Sequence, residues 1–275
     1  MSIPSTYAIV LRMEDNANKE SKMLAQERRQ RIFKDIEASG IASVRDLALR
    51  FDVSSITIIR DLQELEQEGL IRRVHGGAIS VRGASYEPPF SAREAQLSPE
   101  KQRIASKASE LITDGDSIIL DVGTTTLELA RALKGKRNLT VLVTNLRAAL
   151  ELASQPAIQV IVIGGKLRAS ELSMVGHLAE QTLRTFQVDK AFIGVGGITL
   201  KHGLTEYNFD EAGTKRVMFE RARQKIVLAD HTKFGKVMLT QVAPLSAADL
   251  IITGSEIDES AQREMEEAGI QLLLA

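Results

Sequence analysis

The chain has 275 residues, of which 44% are hydrophobic and 26% are charged, and its formal net charge is −1. This length allows one large domain or a small domain beside a medium one, and the composition is that of an ordinary globular protein. Because the chain has no cysteine, disulfides, thiolate nucleophiles and thiolate zinc sites are excluded, and we expect a cytoplasmic protein.

Hydropathy and charge also limit the partners. No apolar run approaches the roughly 18 residues that span a bilayer, so a membrane is not an expected partner. The nearly neutral net charge offers no global attraction to nucleic acid, so any affinity for DNA must come from a local group of cations.

The N-terminal part of the chain predicts three helices and a hairpin. Residues 1–23 are interpreted as a disordered extension, since the helical pattern begins at Leu24. One helix ends at Gly40, a second follows Ser43, and a third runs over residues 55–68. Two short strands then follow, 70–74 and 75–79, with paired glycines near the turn. This order predicts a winged helix-turn-helix domain over residues 24–80.

The composition changes after residue 80. Residues 81–100 hold several prolines, glycines and serines, which predicts a linker. Apolar strand candidates then alternate with helical segments over residues 101–275. The strand candidates are 117–121, 139–144, 158–163, 190–195, 225–229 and 250–253, and the helix candidates are 101–112, 126–133, 147–153, 180–186, 211–224 and 260–268. This rhythm predicts an α/β domain with a Rossmann-like parallel sheet.

The third helix carries residue types that suit a duplex. Short polar residues at a helix start fit the major groove, and nearby cations fit phosphates. The candidate DNA-binding residues are Ser54, Ser55, Thr57 and Arg60 on the helix and Arg72, Arg73 and His75 on the wing. Each has a structural alternative, in which Ser54 only caps the helix, Arg60 pairs with a neighbouring carboxylate and the wing is solvated surface. Their combination in this order favours the DNA-binding interpretation.

Two apolar residues of the same helix, Ile56 and Ile59, are expected on its exposed side. They would either contact thymine methyl groups or pack against another part of the protein.

The segments VSSITIIRDL at residues 53–62 and RRVHGGA at residues 72–78 resemble the DeoR family of bacterial regulators. The resemblance extends from Leu24 to the end of the chain. The family usually has two consecutive arginines in its recognition helix, where this chain has Ile59 and Arg60. The resemblance implies a regulator that binds operator DNA, most often a repressor of a carbohydrate-metabolism operon. We expect a homodimer or homotetramer, because one small winged helix gives little affinity or specificity alone.

The segment DVGTTT at residues 121–126 follows a predicted strand and opens a helix. Free amides at a helix start, hydroxyls and a glycine make an anion site, although a capped strand-to-helix turn explains the same residues. Further loops follow other predicted strands, so we expect them to converge on one crevice at the carboxyl edge of the sheet. Lys215 and Lys233 are candidates to neutralise a phosphate there.

The family resemblance implies a sensor domain similar in fold to ribose-5-phosphate isomerase and glucosamine-6-phosphate deaminase, with a phosphorylated sugar or related metabolite as effector. The residues that the resemblance places around this effector are Asp121, Gly123, Thr124, Thr125, Thr126, Asn145, Gly164, Gly165, Glu206, Asn208, Lys215 and Lys233. Two positions depart from the family pattern, since Gly196 stands in place of an aspartate and Glu206 in place of a frequent threonine.

We expect neither a cofactor nor a metal, because the four histidines show no paired ligand spacing and the chain has no phosphate loop or nucleophile elbow. An alternative is a sugar-phosphate isomerase or deaminase with an accessory DNA-binding module. Gly196 argues against it, since the isomerases use a carboxylate there. A third hypothesis is an architectural DNA-binding protein without a ligand, which the converging loops disfavour.

Overall fold

A computed structural model describes residues 25–37, 39–68, 70–74, 76–80 and 84–275. The chain divides into two compact units, with the boundary after Gly83. The predicted extension 1–23 lies outside the described residues. In the described part of the chain, no helix combines the length and apolar character needed to cross a membrane.

The N-terminal unit contains three helices and a small antiparallel sheet of order β1-β3-β2. Its elements are α1 (25–37), β1 (Ile41–Ser43), α2 (Val44–Phe51), α3 (Ser55–Gln67), β2 (Ile71–Val74) and β3 (Gly77–Ser80). Apolar residues at helical spacing, such as Ile58, Leu62 and Leu65 of α3, form its core together with residues of α1 and α2. The predicted winged helix-turn-helix is confirmed.

A buried ion pair joins α1 to α3. Asp61 is only 3% exposed, and it accepts hydrogen bonds from Arg28 at 2.6 and 3.2 Å. Arg29 lies 3.9 Å from the same carboxylate. The contact satisfies an otherwise buried charge and fixes the helix that carries the predicted DNA-binding residues.

The wing is a two-residue hairpin, because Val74 at the end of β2 pairs with Gly77 at the start of β3. Gly76, in the turn, has a φ of +78°, a conformation that favours glycine. A side chain at Gly77 would lie 2.2 Å from the carbonyl oxygen of Ala42 in β1. Glycine therefore allows β1 to approach the wing.

The C-terminal unit is built on a seven-stranded sheet of order β15-β14-β12-β9-β4-β5-β6, with all neighbouring strands parallel. Its helices are α4 (Phe90–Ala95), α5 (Ser98–Glu110), α6 (Thr124–Ala132), α7 (Leu146–Ala153), α8 (His177–Arg184), α9 (Phe209–Arg221) and α10 (Glu259–Glu267). Its strands are β4 (Ser117–Leu120), β5 (Leu139–Val143), β6 (Ile158–Val162), β7 (Lys166–Arg168), β8 (Ser173–Val175), β9 (Val188–Gly194), β10 (Gly197–Thr199), β11 (Gly203–Glu206), β12 (Ala222–Leu228), β13 (Thr240–Ala243), β14 (Leu250–Thr253) and β15 (Leu272–Leu274).

Both faces of this sheet are covered. In β4, Ile118 and Leu120 pack in one core with residues of α5, α6 and α7. Ile119 points to the opposite face, where it packs with residues of α8 and α9. This alternation explains why the strand is apolar at each of its three buried positions, Ile118 to Leu120. The predicted parallel α/β domain is confirmed.

Two parts of the C-terminal unit differ from the expectation. The predicted linker 81–100 contains helix α4 and the start of α5, and Phe90 of α4 is only 4% exposed in the core. Helix α9 begins at Phe209 and ends at Arg221, because Ala222 already pairs with β9. The predicted helix 211–224 therefore extends too far.

Candidate functional sites

The first turn of α3 is an exposed polar surface. Ser54 caps the helix, since its hydroxyl accepts a hydrogen bond from the Thr57 amide at 3.2 Å and lies 2.9 Å from the Thr57 hydroxyl. Ser55 is exposed and lies beside the cap. Ser54 therefore does cap the helix, as the structural alternative predicts. The start of the helix nevertheless remains open to solvent.

Arg60 lies one turn further along α3 with an exposed side chain. The neighbouring carboxylate of Asp61 is occupied by arginines of α1. Among the ion pairs of the described residues, none involves Arg60. Its guanidinium is thus available to a base or a phosphate.

The two isoleucines of α3 differ in exposure. Ile56 is 66% exposed, whereas Ile59 is half-buried. Of the two, Ile56 therefore has the surface that a thymine methyl group requires.

The wing presents its two arginines to opposite sides, because successive residues of a strand alternate. Arg72 pairs with Ile79 and Arg73 with Ala78, and both side chains are exposed. The backbone amide of Arg73 donates a hydrogen bond to Glu66 of α3 at 2.7 Å, which ties the wing to the recognition helix. The predicted site residue His75 lies outside the described residues.

The second candidate site is a cleft in the C-terminal unit. It lies at the carboxyl ends of the neighbouring strands β4, β9 and β12, the edge at which parallel α/β sheets bind ligands. Its lining residues are Glu87, Arg93, Val122, Gly123, Thr124, Thr125, Thr126, Glu171, Gly194, Val195, Glu206, Tyr207, Glu211, Lys215, Leu228, Asp230 and Lys233.

Helix α6 begins in this cleft. Its N-cap, Gly123, has no side chain, and no side-chain hydrogen bond caps the helix. The amides of Thr124, Thr125 and Thr126 occupy the first turn, where helical amides have no carbonyl partner. Free amides and the positive end of the helix dipole favour an anion at this point.

Lys215 is the centre of a buried ion network. Its ammonium contacts the Asp121 carboxylate directly, lies 3.2 Å from Glu206 and donates to the Gly194 carbonyl at 2.8 Å. Burial alone would lower the pKa of Lys215, but the surrounding carboxylates, led by Asp121, raise it above its ordinary value. Lys215 therefore remains charged, and its charge is already matched by the protein.

Glu211 and Asp121 are carboxyls of this network whose pKa values are raised by burial. Burial raises the pKa of Glu211 to about 7, although Lys215 and a hydrogen bond from Ser173 oppose the shift. Arg168 also contacts Glu211, at 3.3 Å. The cleft therefore takes up a proton near neutral pH, and its net charge depends on that proton.

Lys233 is the cation of the cleft that has no partner. Within the described residues, its side chain forms neither a hydrogen bond nor an ion pair. Burial lowers the pKa of Lys233, but the negative charges of Asp230, Tyr207 and Glu206 together outweigh burial, so the pKa is raised. Lys233 and the start of α6 are thus both free to contact an anion in the same cleft.

The first segment of the C-terminal unit, after residue 84, contributes two charged side chains to the cleft. Arg93 of α4 lies 2.5 Å from Glu171 and 3.1 Å from Glu87. Glu87 also contacts Arg168 of β7 directly. Arg147 lies over the ring of Phe90 at 3.9 Å, which holds this segment on the domain.

Seven of the twelve residues predicted for the effector line the cleft: Gly123, Thr124, Thr125, Thr126, Glu206, Lys215 and Lys233. Asp121 lies beneath it as the partner of Lys215. Asn145 and Asn208 instead cap α7 and α9 through their side-chain oxygens. Gly164 and Gly165 follow β6 outside the lining, and a side chain at Gly165 would lie 3.0 Å from Ala179 of α8.

Sequence reasoning missed several charged residues of the cleft. These are Glu87, Arg93, Glu171, Glu211 and Asp230. Asp230 follows the predicted strand 225–229 directly, so its position after a strand was an available signal. Glu87 and Arg93 fall in the segment interpreted as a linker, and no local pattern indicates that this segment folds back.

Tyr207 fills the space beside Gly196. A side chain at Gly196 would lie 2.8 Å from Met238 and 2.9 Å from the Tyr207 ring. The aspartate that is common at this position in the family would therefore displace the tyrosine. This wall of the cleft is aromatic and uncharged. Among the described residues, no group of three or more histidine, aspartate and glutamate side chains is placed to hold a metal ion.

Comparisons with known proteins agree on one family. The family profile described as the DeoR-like helix-turn-helix domain matches residues 28–83, and the DeoR C terminal sensor domain matches residues 97–255. The HTH-type transcriptional regulator GolR of Listeria innocua is 32% identical over 253 residues, 92% of this chain and 100% of that protein. The glycerol-3-phosphate regulon repressor of Escherichia coli is 32% identical over 252 residues, again 92% of this chain and 100% of that protein.

Among solved structures, ribose 5-phosphate isomerase A of Methanocaldococcus jannaschii aligns with a TM-score of 0.37 and 20% identity, over 49% of this chain and 53% of that chain. This partial likeness carries no argument about activity. The two family profiles together follow the two structural units. The chain belongs to the DeoR family of DNA-binding transcriptional regulators.

Proposed function

We propose that the protein is a cytoplasmic repressor of a carbohydrate-metabolism operon and that a phosphorylated sugar or related metabolite controls it. The relatives support this proposal by their names, which include a glycerol-3-phosphate regulon repressor and a putative aga operon transcriptional repressor. The observation that carries it is the open start of α3, where polar side chains and the unpaired Arg60 face solvent.

The N-terminal unit supplies the residues that we propose to contact DNA. Ser54, Ser55 and Thr57 at the start of α3 would contact the major groove, with Arg60 at a guanine or a phosphate. Arg72 and Arg73 on the wing, together with His75, would contact the backbone. Asp61 holds α3 against α1, so the position of the recognition helix α3 is fixed relative to the rest of the N-terminal unit.

The proposal for effector binding rests on Lys233 and on the uncapped start of α6. Lys233 and the amides of α6 would hold a phosphate, since both are positive and neither has a partner in the described structure. The carboxylates of Glu206 and Asp230 would then accept hydrogen bonds from sugar hydroxyls. Five acidic residues line the cleft and repel an anion. An anion therefore binds only beside Lys233 and the amides of α6, where the attraction exceeds this repulsion.

Control follows from the segment that carries Glu87 and Arg93. This segment follows the DNA-binding unit in sequence and also lines the cleft. An anionic effector would compete with Glu87 and Glu171 for Arg93, which would move the segment. The differential affinity of the effector for the two arrangements would then shift the population that binds DNA.

The proposed function excludes catalysis. Glu211 has a pKa of about 7, which suits a general base. However, Ser173, Arg168 and Lys215 surround it, and Tyr207 occupies the place of a second carboxylate at Gly196. We expect no turnover of pentose or hexosamine phosphates by the purified chain, measured by product formation. Multiple turnover would establish the enzyme alternative.

The DNA-binding proposal is tested with Arg60→Ala. We expect this variant to lose most of its preference for the upstream region of its own operon over shuffled DNA, by about tenfold or more, in fluorescence anisotropy titrations. Arg263→Ala is a matched control, because Arg263 is exposed in the other unit and pairs with Glu259. An unchanged preference in Arg60→Ala would contradict the assigned role.

The effector proposal is tested by thermal shift with glycerol 3-phosphate and ribose 5-phosphate against glycerol and ribose. Only phosphorylated compounds are expected to stabilise the protein, and Lys233→Ala should abolish the shift. Lys201→Ala, at an exposed position, should respond like the parent. Equal shifts in Lys233→Ala and the parent would remove Lys233 from the site.

A further inference from the structure

Strand β6 and helix α7 form an apolar groove at one edge of the C-terminal unit. It is lined by Leu146, Ala149, Leu150, Ala153, Val160 and Val162. The four residues from α7 follow helical spacing and form one stripe. Leu150 is 74% exposed and Val162 is 46% exposed, so two large apolar side chains face solvent side by side. Exposed apolar side chains that lie next to each other make this groove a candidate interaction site.

The backbone of β6 is open along the same edge. Within the described residues, β6 is the last strand of the seven-stranded sheet and pairs only with β5. Its sequence Ile158–Val162 contains no charged residue and no proline, the features that commonly protect an edge strand. The opposite edge is β15, which has three residues at the end of the chain. The β6 edge is thus the better template for a further strand.

The charges beside the groove are balanced. Next to Leu150 lies a depression with two arginines, Arg131 and Arg147, and two glutamates, Glu94 and Glu151. Arg131 contacts Glu94 at 3.1 Å and Glu151 at 3.0 Å. A surface that meets its own copy about a two-fold axis must carry either no charge or both signs, since a single sign repels itself. This surface meets that condition.

We propose that a second copy of this chain docks on the groove, with β6 of each copy paired antiparallel and the two α7 helices packed side by side. A two-fold axis perpendicular to the sheet produces both contacts at once, because it keeps the two helices on the same face. The two sheets then form one continuous sheet. The requirement for a second copy rests on the proposed function, because repeated half-sites need two recognition helices. The existence of the groove does not rest on the proposed function.

The proposal is tested with Leu150→Asp in the full chain, by sedimentation velocity at micromolar concentrations. We expect the parent to sediment as a dimer or a larger even oligomer, and Leu150→Asp to weaken this association about tenfold or more. Leu178→Asp is the matched control, because Leu178 is 66% exposed on α8. It should sediment like the parent.

A second variant, Leu150→Cys, tests the proposal by formation of a cross-link and not by loss of association. The chain has no cysteine, so Leu150→Cys introduces a single thiol that should be cross-linked to its copy by a short bis-maleimide, whereas Leu178→Cys should not. A monomeric parent, an effect of Leu178→Asp alone, or no selective cross-link at position 150 would overturn the proposal. These results are independent of DNA affinity: a dimer broken by Leu150→Asp supports the interface even if no operator preference is found.

Discussion

Replacing Glu211 by glutamine separates the charge of this residue from its shape. Glu211 is 3% exposed, and burial raises its pKa from an ordinary 4.5 to about 7. Glu211 in the folded protein therefore holds its proton more tightly than it does in the unfolded chain. The free energy of unfolding falls as the pH rises from about 4.5 to about 7 and is level above that range.

The pKa difference sets the size of the effect. Ionisation of Glu211 costs the folded state about 3 kcal/mol when complete, and between pH 5 and pH 8 we expect a loss of about 2 to 3 kcal/mol from this group. Glutamine can still accept the hydrogen bonds of Ser173 and Arg168, but it does not ionise. Glu211→Gln should therefore lack this part of the pH dependence.

Urea unfolding at the two pH values, followed by tyrosine fluorescence, measures the difference. The chain has no tryptophan and three tyrosines, and Tyr86 and Tyr207 lie in the C-terminal unit. Glu264→Gln, at an exposed position of α10, is the control and should follow the parent. If Glu211→Gln and the parent change in parallel with pH, the burial argument for Glu211 is wrong.

Three further predictions concern other parts of the chain. Gly196→Asp should lower the free energy of unfolding by about 1 to 3 kcal/mol in urea titrations, because the new side chain collides with Tyr207; an unchanged midpoint would contradict this packing. Asp61→Ala should leave Arg28 without its partner and destabilise the N-terminal unit by about 1 to 3 kcal/mol, measured as an earlier loss of helical circular dichroism. Arg72→Ala should weaken binding to all DNA sequences and reduce the slope of log affinity against log salt by about 1; an unchanged slope would exclude a phosphate contact.

The regular part of the fold could be predicted from the sequence. The strands β4 and β5 are apolar at most positions, because helices cover both faces of the sheet in this region, and that pattern is visible locally. The three N-terminal helices were predictable from their spacing and from Ser54 as a cap. The short antiparallel strands of the C-terminal unit, such as β10 and β11, were not predicted, because three or four residues are too few to show a period. The equally short β2 and β3 were predicted with the help of the paired glycines near their turn.

The candidate cleft was predictable only where its residues follow strands or open helices. The amides at Thr124, Thr125 and Thr126 belong to such a turn. Asn145 follows a strand equally well, yet its side chain is used to cap α7, which a sequence cannot distinguish from ligand binding. Arg93 reaches the cleft because α4 packs against α6, and it contacts Glu171, which is far away in sequence. No local sequence pattern indicates such a long-range contact.

A DNase footprint of the purified chain on the region upstream of its own operon tests the central claim most directly. The account predicts protection of repeated half-sites, with centres about one helical turn of DNA or a multiple of it apart, at near-physiological salt and without sugar phosphates. Protection no greater than on shuffled DNA would contradict it.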